Sequence, residues 1–225
     1  MINLIIMRLF FTLSCYLLGL PFLSGQVVEH VNGTVVTEKQ YTDIQGNPYL
    51  FNGWRKGEVT LTGNEKFTGL NLKYDQVNDE VLYEGKGGND YHFAKQVVAF
   101  SIVADDGESA SYRNGFGAYE KLGNNAFYQV LYDGKVKFLR KEVKTIVERI
   151  VYGSANANKL VQRSERYFIK LEGKTLAEVK RDRKSLLAFL GPEKSGDLGA
   201  FIDREKLKFK SDEDVIKLLQ YFEGM

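Results

Sequence analysis

The chain has 225 residues, of which 44% are hydrophobic and 13% aromatic, so it can bury a sizeable core and is not a disordered segment. Its formal net charge of +2 gives no indication of a nucleic-acid partner. Residues 135–184 hold 15 Lys and Arg against 6 Asp and Glu, whereas residues 26–134 hold 9 against 15. This basic middle segment predicts either attraction to acidic segments within the fold or a surface for an anionic partner.

Residues 1–25 have the features of a secretory signal peptide. Arg8 is the only charge before an almost wholly apolar run, 9–23, which is followed by the small residues Ser24 and Gly25. A run of 15 residues is short for a membrane span but typical of a signal peptide. We therefore expect an exported protein, either periplasmic, envelope-associated or secreted, whose mature chain begins near Gln26 and has no membrane span.

Cys15, the only cysteine of the chain, lies inside this segment. The mature chain would then have no thiol for a disulfide, a zinc site or a nucleophile. A lipoprotein in which Cys15 becomes the lipidated first residue is the alternative. The preceding Thr12-Leu13-Ser14 and the continuation of the apolar run beyond Cys15 argue against it.

From residue 57 the hydrophobic pattern has period two, which predicts antiparallel strands. Predicted strands cover 57–62, 70–75, 81–83, 97–103 and 109–113, and the run 97–103, apolar at both parities, is expected in the middle of the sheet. The glycine cluster 85–90 lacks the ending of a phosphate loop and no helix follows it, so it predicts a hairpin loop.

Aromatic residues surround Pro48 ahead of these strands. Tyr49, Phe51 and Trp54 are expected to close one end of the core. An aromatic shelf that binds a ligand is the alternative interpretation.

A β-hairpin is predicted around Asp133-Gly134, a dipeptide that suits a two-residue type I′ turn. With these residues as the loop, Tyr132 would pair with Lys135 and Leu131 with Val136. Strand alternation then gives two faces. The face expected to be core holds Phe127, Leu131, Val136 and Phe138.

The opposite face of this hairpin is the candidate ligand-binding surface. It would present Tyr128, Tyr132, Lys135 and Lys137. Aromatic rings beside ammonium groups suit a sugar ring or an anion. The same residue types also suit an ordinary exposed sheet face.

Near Asp182 the spacing of apolar residues changes to that of a helix. Asp182 or Ser185 is the candidate cap at its start. A last helix is expected after Ser211, with an apolar stripe at i, i+3, i+4 and i+7. The stripe consists of Val215, Leu218, Leu219 and Phe222. We expect it to pack on the sheet, and docking onto a separate partner is the alternative.

The sequence predicts no catalytic, cofactor-binding or metal-binding residue. His30 and His92 have no ligand-like partner at metal spacing. The acidic pairs 79–80 and 105–106 lie in predicted turns, where carboxylates are expected to accept local backbone hydrogen bonds. Without a second positioned carboxylate, neither forms a glycosidase pair.

Several short segments carry a resemblance to a known group of proteins. They are FIDREKLKFKSDED (201–214), LLQYF (218–222), NPYLF (47–51) and LKYD (72–75). In these segments the chain is similar to uncharacterised secreted proteins of Bacteroidota. The resemblance implies an exported or envelope location and no particular activity.

These patterns together predict a mainly β protein with C-terminal helices. A signal peptide (1–25) would precede an antiparallel β domain (26–184) of about eight to ten strands, forming a sandwich or open barrel, and a helical tail (185–225) would pack on it. The expected function is an exported, non-catalytic cell-envelope protein that binds an envelope protein, a glycan or an anionic lipid. The alternatives are an assembly component acting through the helical tail and a carboxylate-dependent hydrolase.

Overall fold

The computed structural model describes residues 31–37, 41–149 and 158–225. The predicted signal peptide, Cys15 and His30 lie outside these residues.

The described chain forms one large, mostly antiparallel open sheet of 12 strands followed by three helices, which confirms the predicted fold class. The strands are β1 (Gly33–Val35), β2 (Ile44–Gln45), β3 (Arg55–Leu61), β4 (Lys66–Asp75), β5 (Glu80–Glu84), β6 (Asp90–Phe93), β7 (Val97–Val103), β8 (Ser109–Arg113), β9 (Tyr128–Asp133), β10 (Val136–Arg149), β11 (Asn158–Leu171) and β12 (Ala177–Val179). The helices are α1 (Arg183–Leu190), α2 (Ser195–Glu205) and α3 (Asp212–Glu223).

The order of strands across the sheet is β1-β6-β5-β4-β3-β7-β8-β9-β10-β11-β12, and β2 pairs in parallel with β11. β7 lies in the middle of this order, as its apolar residues of both parities predicted. The glycine cluster 85–90 connects the antiparallel strands β5 and β6, so the predicted hairpin loop is also confirmed.

The sheet curls back on itself between β4 and β10. Four strands separate these two in the sheet order, yet the Lys144 backbone N–H donates to the Gln76 carbonyl at 3.1 Å. The concave side encloses the first core. Its buried members are Val59, Leu61, Phe67, Leu70, Leu72, Tyr74, Val81, Tyr83, Val97, Phe100, Ile102, Tyr112 and Phe127.

The predicted register of the central hairpin is wrong. Phe138 pairs with Tyr132 instead of Gln129, and a bulge separates Phe138 from Leu139. Gly134 does not have a positive φ, so no type I′ turn forms. We attribute the difference to a residue far away in sequence: Glu223 of α3 accepts a hydrogen bond from the Val136 N–H at 2.6 Å, directly after the turn. This contact outweighs the local preference of the dipeptide.

The predicted division of the hairpin into one core face and one surface face is wrong as well. Phe127 belongs to the first core, whereas Val136 and Phe138 belong to a second core that is covered by the helices. Tyr128 is buried in a third cluster. The bulge inserts one residue and thereby changes which side chains share a face.

The helical tail packs on the sheet as predicted, and with it forms the second core. Asp182 caps α1 by accepting from the Ser185 N–H at 2.7 Å, whereas the Ser211 side chain makes no capping bond to α3. The stripe of α3 faces β9 and β10. The buried members of this core are Val136, Phe138, Tyr167, Ile169, Val179, Leu186, Leu190, Leu198, Ile202, Leu207, Phe209, Val215, Leu218 and Leu219.

Candidate functional site

The structure does not bring the four predicted surface residues together on one exposed face. Tyr128 is only 1% exposed, and its ring contacts Phe168 with centroids 5.3 Å apart. Tyr132 packs against the second core and donates to Glu223 at 2.8 Å. Lys135 is exposed at the turn, whereas Lys137 forms an ion pair with Asp133 at 2.8 Å. The predicted flat surface of tyrosine and lysine is therefore absent from this hairpin.

The aromatic residues near Pro48 bind cations of the chain itself. The Lys73 ammonium lies 4.0 Å from the Trp54 ring centroid and 5.0 Å from that of Tyr49. The Arg55 guanidinium lies 5.5 Å from the Phe51 ring. These cation–π contacts occupy the rings that an aromatic ligand shelf would need.

The acidic pairs behave differently from the local turn residues that were expected. Asp106 does accept a local hydrogen bond, from the Glu108 N–H at 3.0 Å. Asp105, in contrast, pairs with Arg55 at 2.5 Å, and Glu80 lies 2.6 Å from His92 Nδ1. Within residues 31–37, 41–149 and 158–225, no group of three or more His, Cys, Asp or Glu side chains could hold a metal ion.

Asp79 makes the most extensive long-range contacts of these acidic residues. It follows a tight turn in which the Asp75 carboxylate accepts from the N–H groups of residues 77 and 78, at 2.9 and 3.0 Å. Asp79 itself has a φ of +58°, in the left-handed region, and its side chain contacts Tyr74, Lys141 and Phe127. The carboxylate therefore reaches side chains of the sheet rather than its own turn.

Three donors converge on the Asp79 carboxylate. Oδ1 accepts from the Tyr74 hydroxyl at 2.5 Å and from Lys141 Nζ at 2.7 Å, and Oδ2 accepts from the Phe127 N–H at 3.2 Å. The Lys141 side chain is 3% exposed, so the ion pair is buried on the lysine side. Lys141 also donates to the Tyr74 oxygen at 3.3 Å. Asp79, Tyr74 and Lys141 thus form a closed hydrogen-bonded group, called here the Asp79 cluster.

Burial shifts the ionisation of this cluster. It lowers the pKa of Lys141, and the neighbouring Asp79 carboxylate opposes that change. Burial and then the Asp79 charge raise the pKa of Tyr74 well above its ordinary value, so its hydroxyl stays protonated and donates. The Tyr74 hydroxyl and the Lys141 ammonium therefore act as donors to the Asp79 carboxylate.

An open concavity of about 420 Å³ lies over the Asp79 cluster. It is bounded by the turn 76–79, the loop 121–126, Lys141 and Val143. A second concavity, of about 250 Å³, shares the lining residues Asp79 and Asn125 with the first. We call these the larger and the smaller concavity.

Gln76 is an unusual residue in the wall of the larger concavity. It is 3% exposed, and its Oε1 has no hydrogen-bond partner. A buried polar atom without a partner costs free energy, and such atoms are uncommon in folded proteins.

The ion pairs also explain the uneven charge of the sequence. Basic residues of the segment 135–184 pair with acids on both sides of it. Examples are Lys141 with Asp79 at 2.7 Å and Arg181 with Asp212 at 2.8 Å. This agrees with attraction between segments within the fold.

The sequence interpretation missed Lys141 and Gln76. One signal was available for Lys141, because it lies two residues from both Leu139 and Val143 on the same strand face. A lysine between apolar residues at core parity indicates a buried charge with a partner. Nothing in the sequence identified Asp79 as that partner.

Comparison of the chain with protein-family models, curated proteins and solved structures gave no match. The resemblance to secreted Bacteroidota proteins therefore stays a prediction. In the described part of the chain, no helix combines the length and the hydropathy required to cross a bilayer.

Proposed function

We propose that this protein is an exported, non-catalytic binding protein of the cell envelope whose ligand lies in the concavities beside Asp79. The observation that supports this proposal is a polar recess in which the charges of Asp79 and Lys141 already compensate each other. Binding sites are concave and place a few polar groups at defined positions. The Asp79 cluster provides such a rigid polar floor.

The side chains around the recess favour recognition over catalysis. In the part of the chain that the structure describes, the amides of Asn124 and Asn125 make no side-chain hydrogen bond, and both residues are exposed. An amide offers both donors and acceptors, so it can bind a polar ligand without transferring a proton. The ionisable groups beside them, Asp79 and Lys141, are engaged with each other.

Export rests on the sequence. The predicted signal peptide (1–25) and the resemblance to secreted Bacteroidota proteins both point to the envelope or beyond. An envelope protein, a glycan and an anionic lipid remain the partner classes to compare.

The test is a binding screen with a matched pair of variants. The probes are neutral oligosaccharides, uronic-acid oligosaccharides, short peptides and vesicles containing anionic lipid. We expect Asn125→Ala to weaken binding of one probe class at least about tenfold, which corresponds to about 1.4 kcal/mol. The control Gln220→Ala removes an exposed amide from α3 and should leave binding unchanged.

Two outcomes contradict the proposal. One is the absence of any probe whose binding depends on Asn125. The other is chemical conversion of a bound probe by the wild-type protein, which would show that the protein is a catalyst rather than a binding protein.

A further inference from the structure

We propose that the ligand is an uncharged oligosaccharide that crosses Asp79 and occupies both concavities. This inference rests on the proposed function and adds the chemical class and the placement of the ligand. Four features of the two concavities lead to it: their size, their charge, their amides and the remaining capacity of the Asp79 carboxylate.

The sizes favour an elongated occupant. Small-molecule sites usually have volumes of about 300–1,000 Å³. The larger concavity, of about 420 Å³, lies near the lower end of that range, and the smaller, of about 250 Å³, lies below it. Because Asp79 and Asn125 line both concavities, a ligand of several linked rings can use both, whereas a single ring would fill only part.

The charges favour a neutral ligand. The two linings together hold the carboxylates of Asp79 and Glu80 and the ammonium groups of Lys95, Lys121 and Lys141. Four of these five groups already have partners in the described part of the chain, all except Lys121: Lys141 pairs with Asp79 at 2.7 Å and Lys95 with Glu65 at 2.6 Å, while Glu80 lies 2.6 Å from His92. A charged ligand would find little uncompensated charge of opposite sign in this recess.

The polar and apolar groups match the two sides of a sugar ring. Asn124 and Asn125 line the larger concavity, and Gln96 and Asn125 line the smaller. Amides of this kind pair with hydroxyl groups, which also both donate and accept. The smaller concavity further includes the half-buried ring of Phe93, an apolar surface suited to the C–H face of a sugar.

Asp79, which lines both concavities, has acceptor capacity left. Its Oδ2 accepts only the Phe127 N–H, at 3.2 Å, although a carboxylate oxygen has two lone pairs. The Asp79 side chain is 26% exposed, so a ligand hydroxyl can reach it. A hydrogen bond from a hydroxyl to a carboxylate is among the stronger polar contacts, and it needs no net charge on the ligand.

The test is calorimetric titration of the wild-type protein with neutral mono-, di- and trisaccharides of glucose, galactose, mannose and N-acetylglucosamine. We expect one series in which the trisaccharide binds at least about tenfold more tightly than its monosaccharide. Its affinity should change less than about twofold between low and high salt, because screening acts on charged partners. The uronic-acid counterpart should bind more weakly.

Two single variants test whether both concavities are occupied. Asn124→Ala changes only the larger concavity, and Gln96→Ala changes only the smaller. Each should weaken trisaccharide binding at least about threefold, because each variant removes one hydrogen bond to the ligand. Both residues are exposed, so neither change should unfold the protein.

The failures of the two proposals are distinguishable. Binding of a uronic acid, peptide or vesicle that depends on Asn125 would leave the binding function intact and overturn the neutral oligosaccharide. Sensitivity to only one of Asn124→Ala and Gln96→Ala would overturn the crossing of Asp79. A panel with no neutral saccharide bound up to about 10 mM would overturn this inference outright.

Discussion

Asp79→Asn is expected to lower the free energy of unfolding by about 3–5 kcal/mol, because it leaves the buried Lys141 ammonium without its counter-charge. The amide keeps the shape of the side chain, so the loss reports charge rather than packing. The Tyr74 hydroxyl donates to one carboxylate oxygen and the Phe127 N–H to the other, so only one of the two keeps its acceptor on the single amide oxygen, and the loss includes that hydrogen bond. Urea unfolding followed by circular dichroism measures the difference.

The matched control is Asp105→Asn. Asp105 also forms a short ion pair, with Arg55 at 2.5 Å, but its side chain is 77% exposed. Exposed pairs contribute about 0–1 kcal/mol, so this variant should be nearly as stable as wild type. Equal losses for Asp79→Asn and Asp105→Asn would show that burial of Lys141 has no special weight.

Replacing both Asp79 and Lys141 separates the interaction energy of this ion pair from the cost of burying an unpaired charge. In the double variant Asp79→Asn with Lys141→Met, no charge is left buried and uncompensated. We expect it to be more stable than Asp79→Asn alone by at least about 1 kcal/mol, since residues in direct contact are coupled. A purely additive cycle would contradict the electrostatic explanation.

The loss caused by Asp79→Asn should shrink as the pH rises. Burial holds the pKa of Lys141 below its ordinary value in the folded protein, and loss of Asp79 lowers it further. The folded variant then releases its Lys141 proton at a lower pH than folded wild type does. Stability rises with pH where the unfolded state binds more protons, so the deficit measured at about pH 9.5 should be smaller than at about pH 7.

Leu218→Ala is expected to destabilise the protein by about 2–5 kcal/mol, because Leu218 is 0% exposed in the second core. The cost combines lost transfer free energy with a cavity between α3 and the sheet. Its neighbour Lys217 is exposed on the same helix, so Lys217→Ala should change stability by less than about 0.5 kcal/mol. Thermal unfolding of both variants tests this.

A small effect of Leu218→Ala would mean that α3 does not depend on the sheet for its stability. The apolar stripe would then be available to a separate partner, as the assembly interpretation requires.

Side-chain periodicity was sufficient for much of the fold. The run 97–103, which is apolar at alternate and intervening positions alike, predicted β7 and its central place, and the change to helical spacing near Asp182 predicted the helical tail. Both signals are local, because they depend on which side chains of one segment face the core. The sheet has more strands than expected since its short members, such as β2 and β12, carry too few residues to show a period.

Long-range contacts account for what the sequence did not predict. The hairpin register depends on Glu223, and the candidate site depends on the meeting of Asp79 with Lys141. Glu223 and Asp79 look like ordinary surface residues in the sequence, and although the apolar neighbours of Lys141 indicate its burial, they do not identify its partner. Their pairing follows from the curl of the sheet, which no local pattern encodes.

The contact between Glu223 of α3 and the first residue of β10 joins the end of the chain to strands that are synthesised much earlier, which affects the order of folding. The ribosome makes β9 and β10 before the three helices, yet the apolar side of these strands is fully covered only when α1, α2 and finally α3 have been made. Until then the apolar side of β9 and β10 is exposed to solvent, and a chaperone can bind it. If the proposed export takes place before folding, the late completion of the second core would delay folding until the chain has crossed the membrane.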